Sequence, residues 1–167
     1  MDHICSIKDT IYPKTTINKK RNVVRGIIKT IDNKIILMHI KTNDIFGKRD
    51  HYELPGGGIE ENEDYENALI REIKEETGHT INNIKEVGII DIEYNPLNRI
   101  DVQHFFIADS IGVGKTNFTE EEKDVFVDIV YVSIDEIVSF YNSHSTSGVG
   151  DMIHKRDLIA FNKALNI

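Results

Sequence analysis

The chain has 167 residues, 40% of them apolar and 29% charged, a composition that favours one compact domain and excludes a disordered or collagen-like chain. The formal net charge of −8 argues against duplex nucleic acid as a partner, because loose binding to a phosphate backbone relies on lysine and arginine. Cys5 is the only cysteine, and no segment approaches the roughly 20 apolar residues of a membrane span. We expect one domain over residues 1–167, in the cytoplasm, with no membrane partner and with homodimer formation left open.

The first predicted element is a β-hairpin. Val23–Thr30 and Lys34–Ile40 are rich in β-branched residues and flank Asp32-Asn33, a pair suited to a tight turn. The stretch Lys41–Asp50 that follows is polar and contains a glycine, which indicates a connection rather than a buried strand.

A short strand, a glycine loop and a helix come next. His51–Leu54 predicts the strand, and Pro55–Gly58 breaks it. Apolar residues then recur at helical spacing, with Asp64 as a plausible N-cap and Gly78 as a C-terminal stop. The pattern predicts a helix over about 65–77.

The second half of the chain predicts three further strands. Lys85–Tyr94 and Asp101–Ala108 flank the turn-forming sequence Asn95–Asn98, and Val125–Val132 follows later. Beyond them, a serine three positions before a glutamate predicts a capped helix.

That capping box consists of Ser133 and Glu136 and predicts a short helix to about Tyr141. Asn142–Gly150 has the composition of a loop, and Asp151–Leu165 has the apolar spacing of a terminal helix. Strands and helices in this order predict an α+β fold, an α/β/α sandwich around a mixed β-sheet.

The predicted helix 65–77 carries an acidic face. Glu72, Glu75 and Glu76 fall within roughly a 100° arc, and like charges at this spacing cost a helix about 0.2–0.5 kcal/mol per pair. Arg71 relieves only Glu75, at the i+4 position. An acidic helix face is usually solvated, but here the arc overlaps the apolar stripe beside Ile73. A divalent cation would neutralise the cluster, since Mg²⁺ prefers oxygen ligands and bridges carboxylates to phosphates.

The same segment resembles the Nudix box. Its fixed positions are present as Gly57, Glu63 and the run Arg71–Gly78 (REIKEETG), and the motif departs from the family only at His79, where an aliphatic residue is usual. That departure is expected to alter packing after the helix rather than chemistry. The likeness extends more weakly, as strand order, over about 23–140.

The resemblance implies roles for individual residues. Glu72, Glu75 and Glu76 would bind Mg²⁺, with Mn²⁺ as a substitute, joined by the carbonyl of Gly56. Glu63 and Arg71 would form an ion pair that orients the helix. Gly57 and Gly58 would let the backbone approach the substrate closely.

The general base is left open between two sets of carboxylates. The family pattern allows a box glutamate, Glu72 or Glu76, or a carboxylate on a later loop. The acidic segment Thr119–Asp124 lies between two predicted strands, and Glu120 and Glu122 are its preferred candidates. The alternative for both is an exposed surface charge.

The sequence offers several basic residues that could contact the substrate phosphates. His39 stands where related enzymes carry an arginine, which leaves Lys41, Lys48 or Arg49 as phosphate contacts. Histidine spacing argues against zinc, and His104 is expected to be packed on a strand. Gly112–Thr116 lacks the spacing of a phosphate loop and is interpreted as a hairpin loop.

The implied function is Mg²⁺-dependent hydrolysis of a diphosphate linkage, by attack of water on phosphorus, in a nucleoside triphosphate or a substrate linked to a nucleoside diphosphate. One alternative is a non-catalytic Nudix-like module that senses a nucleotide, for which lost box glutamates would be expected. Another is an isomerase of diphosphate-bearing lipids, which would need a cysteine near the pocket, whereas Cys5 lies far from the motif.

Overall fold

The computed structural model describes residues 1–166 as a mixed sheet with helices on both faces. Its elements are β1 His3–Ile7, β2 Lys19–Lys29, β3 Lys34–Asp44, β4 Gly47–Glu53, α1 Tyr65–Thr77, β5 His79–Tyr94, β6 Arg99–Val113, α2 Glu120–Val125, β7 Phe126–Ser133, α3 Ile137–Ser143 and α4 Val149–Leu165. Within the described residues, no helix is long and apolar enough to cross a membrane.

The strand order is β1-β5-β6-β2-β3-β4, with β7 on the free side of β3. β1 runs parallel to β5 and β2 parallel to β6, whereas β5–β6, β3–β4 and β3–β7 are antiparallel. The two faces of the sheet bury separate apolar clusters, one against α1 and the other against α3 and α4. Ile27 and Ile28, adjacent on β2 and fully buried, belong to opposite clusters, as the alternation of a strand requires. The predicted α/β/α sandwich is confirmed.

The sheet splits between β2 and β3, and this split creates the room for a site. The predicted turn forms, with the amide of Asn33 donating to Thr30 O at 3.0 Å, but the two strands pair only at Lys29 and Ile35. The hairpin prediction is therefore wrong beyond the turn. Past the split, the edge of β2 is occupied by the glycine loop, whose carbonyls at Pro55 and Gly57 accept from β2 amides.

Several boundaries differ from the prediction. Lys41–Asp50, expected as a connection, is mostly strand, because β3 and β4 continue as an exposed hairpin that turns between Asp44 and Gly47. Exposure on both faces removes the apolar alternation that marks a strand. The exposed end of β6 reaches Val113 for the same reason, so part of the predicted loop Gly112–Thr116 is strand. β5 begins earlier than predicted, at His79, and its first residues alternate between buried and exposed.

Two predictions of helix capping need correction. Ser133 makes no capping hydrogen bond; a 3₁₀ turn at Ile134–Glu136 intervenes before α3. The capping box forms instead at Thr119, whose hydroxyl accepts from the amide of Glu122 at 3.2 Å while the Glu122 carboxylate accepts from the amide of Thr119 at 2.8 Å. The acidic segment expected as a loop is thus the short helix α2. The strand β1 was not predicted, and α4 begins at Val149, inside the expected loop.

Candidate active site

Helix α1 begins and ends as predicted, and this fixes which way its glutamates face. The Asp64 carboxylate accepts from the amide of Asn67 at 2.8 Å, and Gly78 ends the helix at φ 73°. Glu72 lies within the buried stripe of the helix, only 9% exposed, beside the fully buried Ile73. A carboxylate is therefore held at the border of the core, under the glycine loop.

The glycine loop closes directly over these carboxylates. The amide of Gly56 donates to Glu76 Oε2 at 2.7 Å. A Cβ at Gly57 would lie 2.5 Å from Glu72 Oε2, and one at Gly56, where φ is 135°, would lie 2.1 Å from Val24 O. Glycine is required at both positions because the backbone touches a carboxylate on one side and β2 on the other.

Arg71 connects the loop to the helix. It donates to Glu63 twice, from Nε at 2.8 Å and from Nη2 at 2.7 Å, and this hydrogen bonding lowers the pKa of the Glu63 carboxyl. It also donates from Nη1 to Glu72 at 2.8 Å and from Nη2 to the carbonyl of Gly58 at 3.1 Å. The contact with Glu75 is longer, 3.4 Å, so the expectation that Arg71 relieves only Glu75 is wrong.

Arg25 is a site residue that the sequence reading missed. Its Nη1 donates to the carbonyl of Leu54 at 2.9 Å and lies 3.7 Å from Glu53 Oε1. Burial works to raise the pKa of the Glu53 carboxyl, but its cationic neighbours, Arg25 foremost, outweigh burial and hold that pKa well below its usual range. A single arginine on a strand has no local signal that would mark this contact.

The carboxylates outnumber the cations. Burial raises the pKa of Glu76 to about 8, and Glu72 and Glu53 add to the rise. Arg25 and the amide of Gly56 oppose it. Burial also raises the pKa of Glu72. Arg71 is shared among four glutamates, and Arg25 lowers the pKa of Glu53, Glu72 and Glu76, so the carboxylates outnumber these two cations.

The three predicted metal ligands differ in placement. Glu72 and Glu76 border the loop, whereas the side chain of Glu75 is 40% exposed and turned toward Arg71. Within residues 1–166, no group of three or more acidic, histidine or cysteine side chains stands arranged around one point. The donors are carboxylates and a glycine-loop backbone, the oxygen set that suits Mg²⁺ rather than zinc.

The candidate loop bases lie on α2. The Glu120 side chain is 90% exposed and pairs with Lys123 at 2.6 Å. The Glu122 carboxylate accepts a hydrogen bond from the backbone amide of Thr119 in the capping box. The segment before them is tied to α1, since the amide of Asn117 donates to the carbonyl of Glu75 at 2.7 Å.

The candidate phosphate contacts lie on the outer part of the β3–β4 hairpin, away from the loop. Lys41 is 3.4 Å from Asp50, and Arg49 is 2.7 Å from Asp44. With Lys48 and the segment Ser145–Ser147 they line a groove of about 580 Å³.

An aromatic cluster, not foreseen from the sequence, lies nearer the loop on the α3 face. Tyr52 stacks on His39 at 4.6 Å between ring centres and makes edge contacts with Phe140 and His144, each at 4.9 Å. His104 is packed as expected, buried and stacked on Tyr65 at 4.0 Å.

His79, the departure from the box, is buried after the end of α1. Its Nδ1 is 2.6 Å from Ser110 Oγ and its Nε2 is 3.0 Å from Tyr131 Oη. The side chain therefore packs through two polar contacts where an aliphatic residue would make none.

Comparison with known proteins identifies the architecture around this loop and helix. A family model described as the NUDIX domain matches residues 20–148. The chain belongs to the Nudix family. The expectation drawn from the box is confirmed, and the match reaches further toward both ends than the resemblance over about 23–140.

The individual relatives share about a quarter of the aligned residues with this chain or fewer. The chain is 26% identical over 127 residues to the methanol dehydrogenase activator of Bacillus methanolicus, covering 72% of this chain and 66% of that protein. It is 26% identical over 130 residues to the ADP-ribose pyrophosphatase of Bacillus subtilis (strain 168), covering 78% and 68%. A crystal structure of a MutT Nudix hydrolase from Burkholderia pseudomallei matches with a TM-score of 0.64 at 18% identity, over 88% of this chain and 99% of that one. The chain spans about two thirds of the length of those two sequence relatives, and the structural match shows a shared fold.

Proposed function

We propose that this Nudix protein is a Mg²⁺-dependent pyrophosphohydrolase that cleaves the diphosphate of a nucleoside diphosphate linked to a second group, with ADP-ribose as the first substrate to test. The observation that carries the proposal is the excess of negative charge at the glycine loop, where the buried Glu72 and the half-buried Glu76 are only partly neutralised by the neighbouring arginines. A divalent cation and a diphosphate would together balance such a site. The ADP-ribose pyrophosphatase among the relatives supports the choice of substrate.

The residues present fit a bound Mg²⁺ or Mn²⁺. Glu72, Glu75, Glu76 and the carbonyl of Gly56 would hold it, and its chemistry would be to polarise the attacking water and offset charge on the phosphate. Glu75 is the most exposed of the three and is free to turn toward the other two. Glu63 acts through Arg71, which holds Glu72 and the loop carbonyl of Gly58 in place.

The reaction forms one oxygen–phosphorus bond from water and breaks the bridging oxygen–phosphorus bond, and the proton of the water passes to a carboxylate. A box glutamate, Glu72 or Glu76, is the better base, because each borders the loop and burial raises the pKa of both carboxyls, which makes them more basic. On α2, Glu122 is committed to its cap and Glu120 is ion-paired in solvent. A Cβ would lie 2.5 Å from Glu72 at Gly57 and 2.5 Å from Arg21 at Gly58, so the two glycines let a carboxylate and a guanidinium approach the loop backbone closely.

A panel assay with Mg²⁺ tests this proposal. ADP-ribose, nucleoside diphosphate sugars, dinucleoside polyphosphates and nucleoside triphosphates would be incubated with the protein, and the products separated by chromatography. We expect two phosphomonoesters from ADP-ribose, one of them labelled when the water carries ¹⁸O, and no reaction with a chelator present. Nucleotide binding without cleavage would support the sensing module instead. The isomerase reading is disfavoured because Cys5 lies on the edge strand β1.

A further inference from the structure

Helix α4 carries two adjacent charged side chains inside the core. Arg156 and Asp157 are both 0% exposed. Burying a charge is unfavourable unless it is paired and hydrogen-bonded, and an apolar pair of similar volume often serves stability as well. Their placement therefore calls for a specific use, and the contacts of Asp157 point to one.

Asp157 accepts three hydrogen bonds from three different parts of the chain. Arg156 Nε donates to its Oδ1 at 2.7 Å. Its Oδ2 accepts from Tyr141 Oη at 2.9 Å and from the backbone amide of Leu54 at 3.0 Å. The first two contacts lie within the α3–α4 layer, but the third reaches Leu54, the residue directly before the glycine loop.

Both backbone groups of Leu54 are thereby held by charged side chains. Its amide donates to Asp157 on α4, and its carbonyl accepts from Arg25 on β2 at 2.9 Å. Two residues later, the amide of Gly56 donates to Glu76 at 2.7 Å. Pro55, with its restricted φ, is the only residue between Leu54 and Gly56. The two hydrogen bonds to the Leu54 backbone therefore restrict the position of Gly56 relative to the Glu76 carboxylate.

We propose that Asp157 is a positioning residue for the divalent-cation site, acting through Leu54 to set the glycine loop against Glu76. This inference rests on the proposed function, because it concerns the ion that function requires. The terminal helix, which lies outside the Nudix box, would then determine how well the box binds metal. Partners of metal ligands commonly change metal affinity by roughly 10–100-fold when removed.

Two double variants separate positioning from the buried ion pair. Arg156→Met with Asp157→Asn removes both charges but keeps an oxygen for the Leu54 amide. Arg156→Met with Asp157→Leu removes both charges and that acceptor at similar volume. Mn²⁺ binding would be measured by electron paramagnetic resonance without substrate, and the fold by thermal unfolding. We expect the first pair to bind within about threefold of the unmodified chain and the second at least tenfold more weakly.

Equal Mn²⁺ affinity in the two folded double variants would overturn the positioning role. If the leucine pair does not fold, Asp157→Glu decides, because it keeps the charge beside Arg156 and displaces the carboxylate by one methylene. We expect it to weaken Mn²⁺ binding about tenfold, and unchanged binding would overturn the inference. Tyr141→Phe is the matched control: it removes another donor to Asp157 without touching Leu54 and should leave Mn²⁺ affinity unchanged. If the unmodified chain binds no Mn²⁺ at millimolar concentration, the proposed function fails, and not merely the role of Asp157.

Discussion

The surroundings of Glu76 disfavour the ionised form of its carboxyl, and the same surroundings favour binding of a cation. Its carboxylate receives one backbone hydrogen bond and shares Arg25 with Glu53, while burial raises its pKa to about 8. A proton or a divalent cation can each relieve the crowding. At neutral pH the two therefore compete for the same oxygen atoms.

Replacing Glu76 with glutamine should remove most activity and leave the fold intact. The change deletes a charge at constant volume, so the metal loses a ligand while the hydrogen bond from Gly56 can persist. Turnover measured at saturating Mg²⁺ checks the result. Near wild-type turnover would remove Glu76 from the site.

The same variant makes a prediction about stability without metal. Because the folded pKa of Glu76 is raised above its unfolded value, the chain should lose stability as the pH rises from about 4.5 to about 8. Glu76→Gln cannot ionise and should not share that loss. In a chelator, its melting temperature should exceed that of the unmodified chain at pH 8, by about 2–4 °C per kcal/mol, and the difference should close at pH 5. A constant difference across that range would count against the raised pKa.

Glu75→Gln should weaken Mg²⁺ binding with little effect on stability. Its side chain is 40% exposed and its contact with Arg71 is long, so the metal-free protein should change by no more than about 0.5 kcal/mol. Calorimetric titration with Mg²⁺ measures the affinity. Glu60→Gln is the control, because Glu60 also approaches Arg71, at 3.9 Å, from an exposed position. Equal affinity in both variants would exclude Glu75 as a ligand.

Among the secondary-structure elements, α1 and α2 differ in what the sequence reveals. The bounds of α1 could be predicted to the residue because its signals are local: an N-cap at Asp64, an apolar stripe and a left-handed Gly78. The capping box of Thr119 and Glu122 is equally local, but the prediction gave that pattern to Ser133 and Glu136 instead. A pattern of two residues does not specify whether the backbone between them turns as a helix.

The placement of α2 predicts the outcome for the general base. Glu120→Gln and Glu122→Gln should keep turnover within about tenfold, whereas loss of a true base costs about 10²–10⁴-fold. Glu72→Gln should carry the larger loss. Turnover and Mn²⁺ affinity measured on all three variants separate a base from a ligand, since a pure base loses rate without losing metal. If Glu120→Gln or Glu122→Gln lost about a hundredfold in turnover and still bound metal, the general base would lie on α2.

For the whole molecule, the site depends on contacts between distant segments, and these are what the sequence could not predict. The ion pair of Glu63 with Arg71 was foreseen because the box carries both residues. Other features of the site depend on residues far apart in the chain, and no sequence periodicity predicts them. They are the separation of β2 from β3 and the contacts of Arg25 and Asp157 with Leu54. The site therefore forms only when both sheet faces have packed.

Arg25 connects β2 to the residues before the glycine loop and lowers the pKa of Glu76. Its removal should therefore change both the pKa of Glu76 and the stability of the fold. It is the only cation that faces both Glu53 and Glu76 among the contacts that set the pKa of Glu76, and without it that pKa should rise further. Hydrolysis that needs ionised Glu76 should then begin at higher pH. In Arg25→Met we expect the acidic limb of the pH–rate profile to move upward, and in Arg25→Lys to move less, because the charge is kept.

Two measurements distinguish this shift from a partly unfolded enzyme. The ratio of the rate at pH 9 to the rate at pH 7 should be higher in Arg25→Met than in the unmodified chain. Partial unfolding would lower this ratio, because the stability of the chain falls as the pH rises. Raising Mg²⁺ should reduce the shift, because the ion displaces the proton from the same carboxylate. The acidic limb of the pH–rate profile could instead lie at the same pH in Arg25→Met and in the unmodified chain, at low Mg²⁺ and with both proteins folded. That result would show that the ionisation of Glu76 does not control the profile.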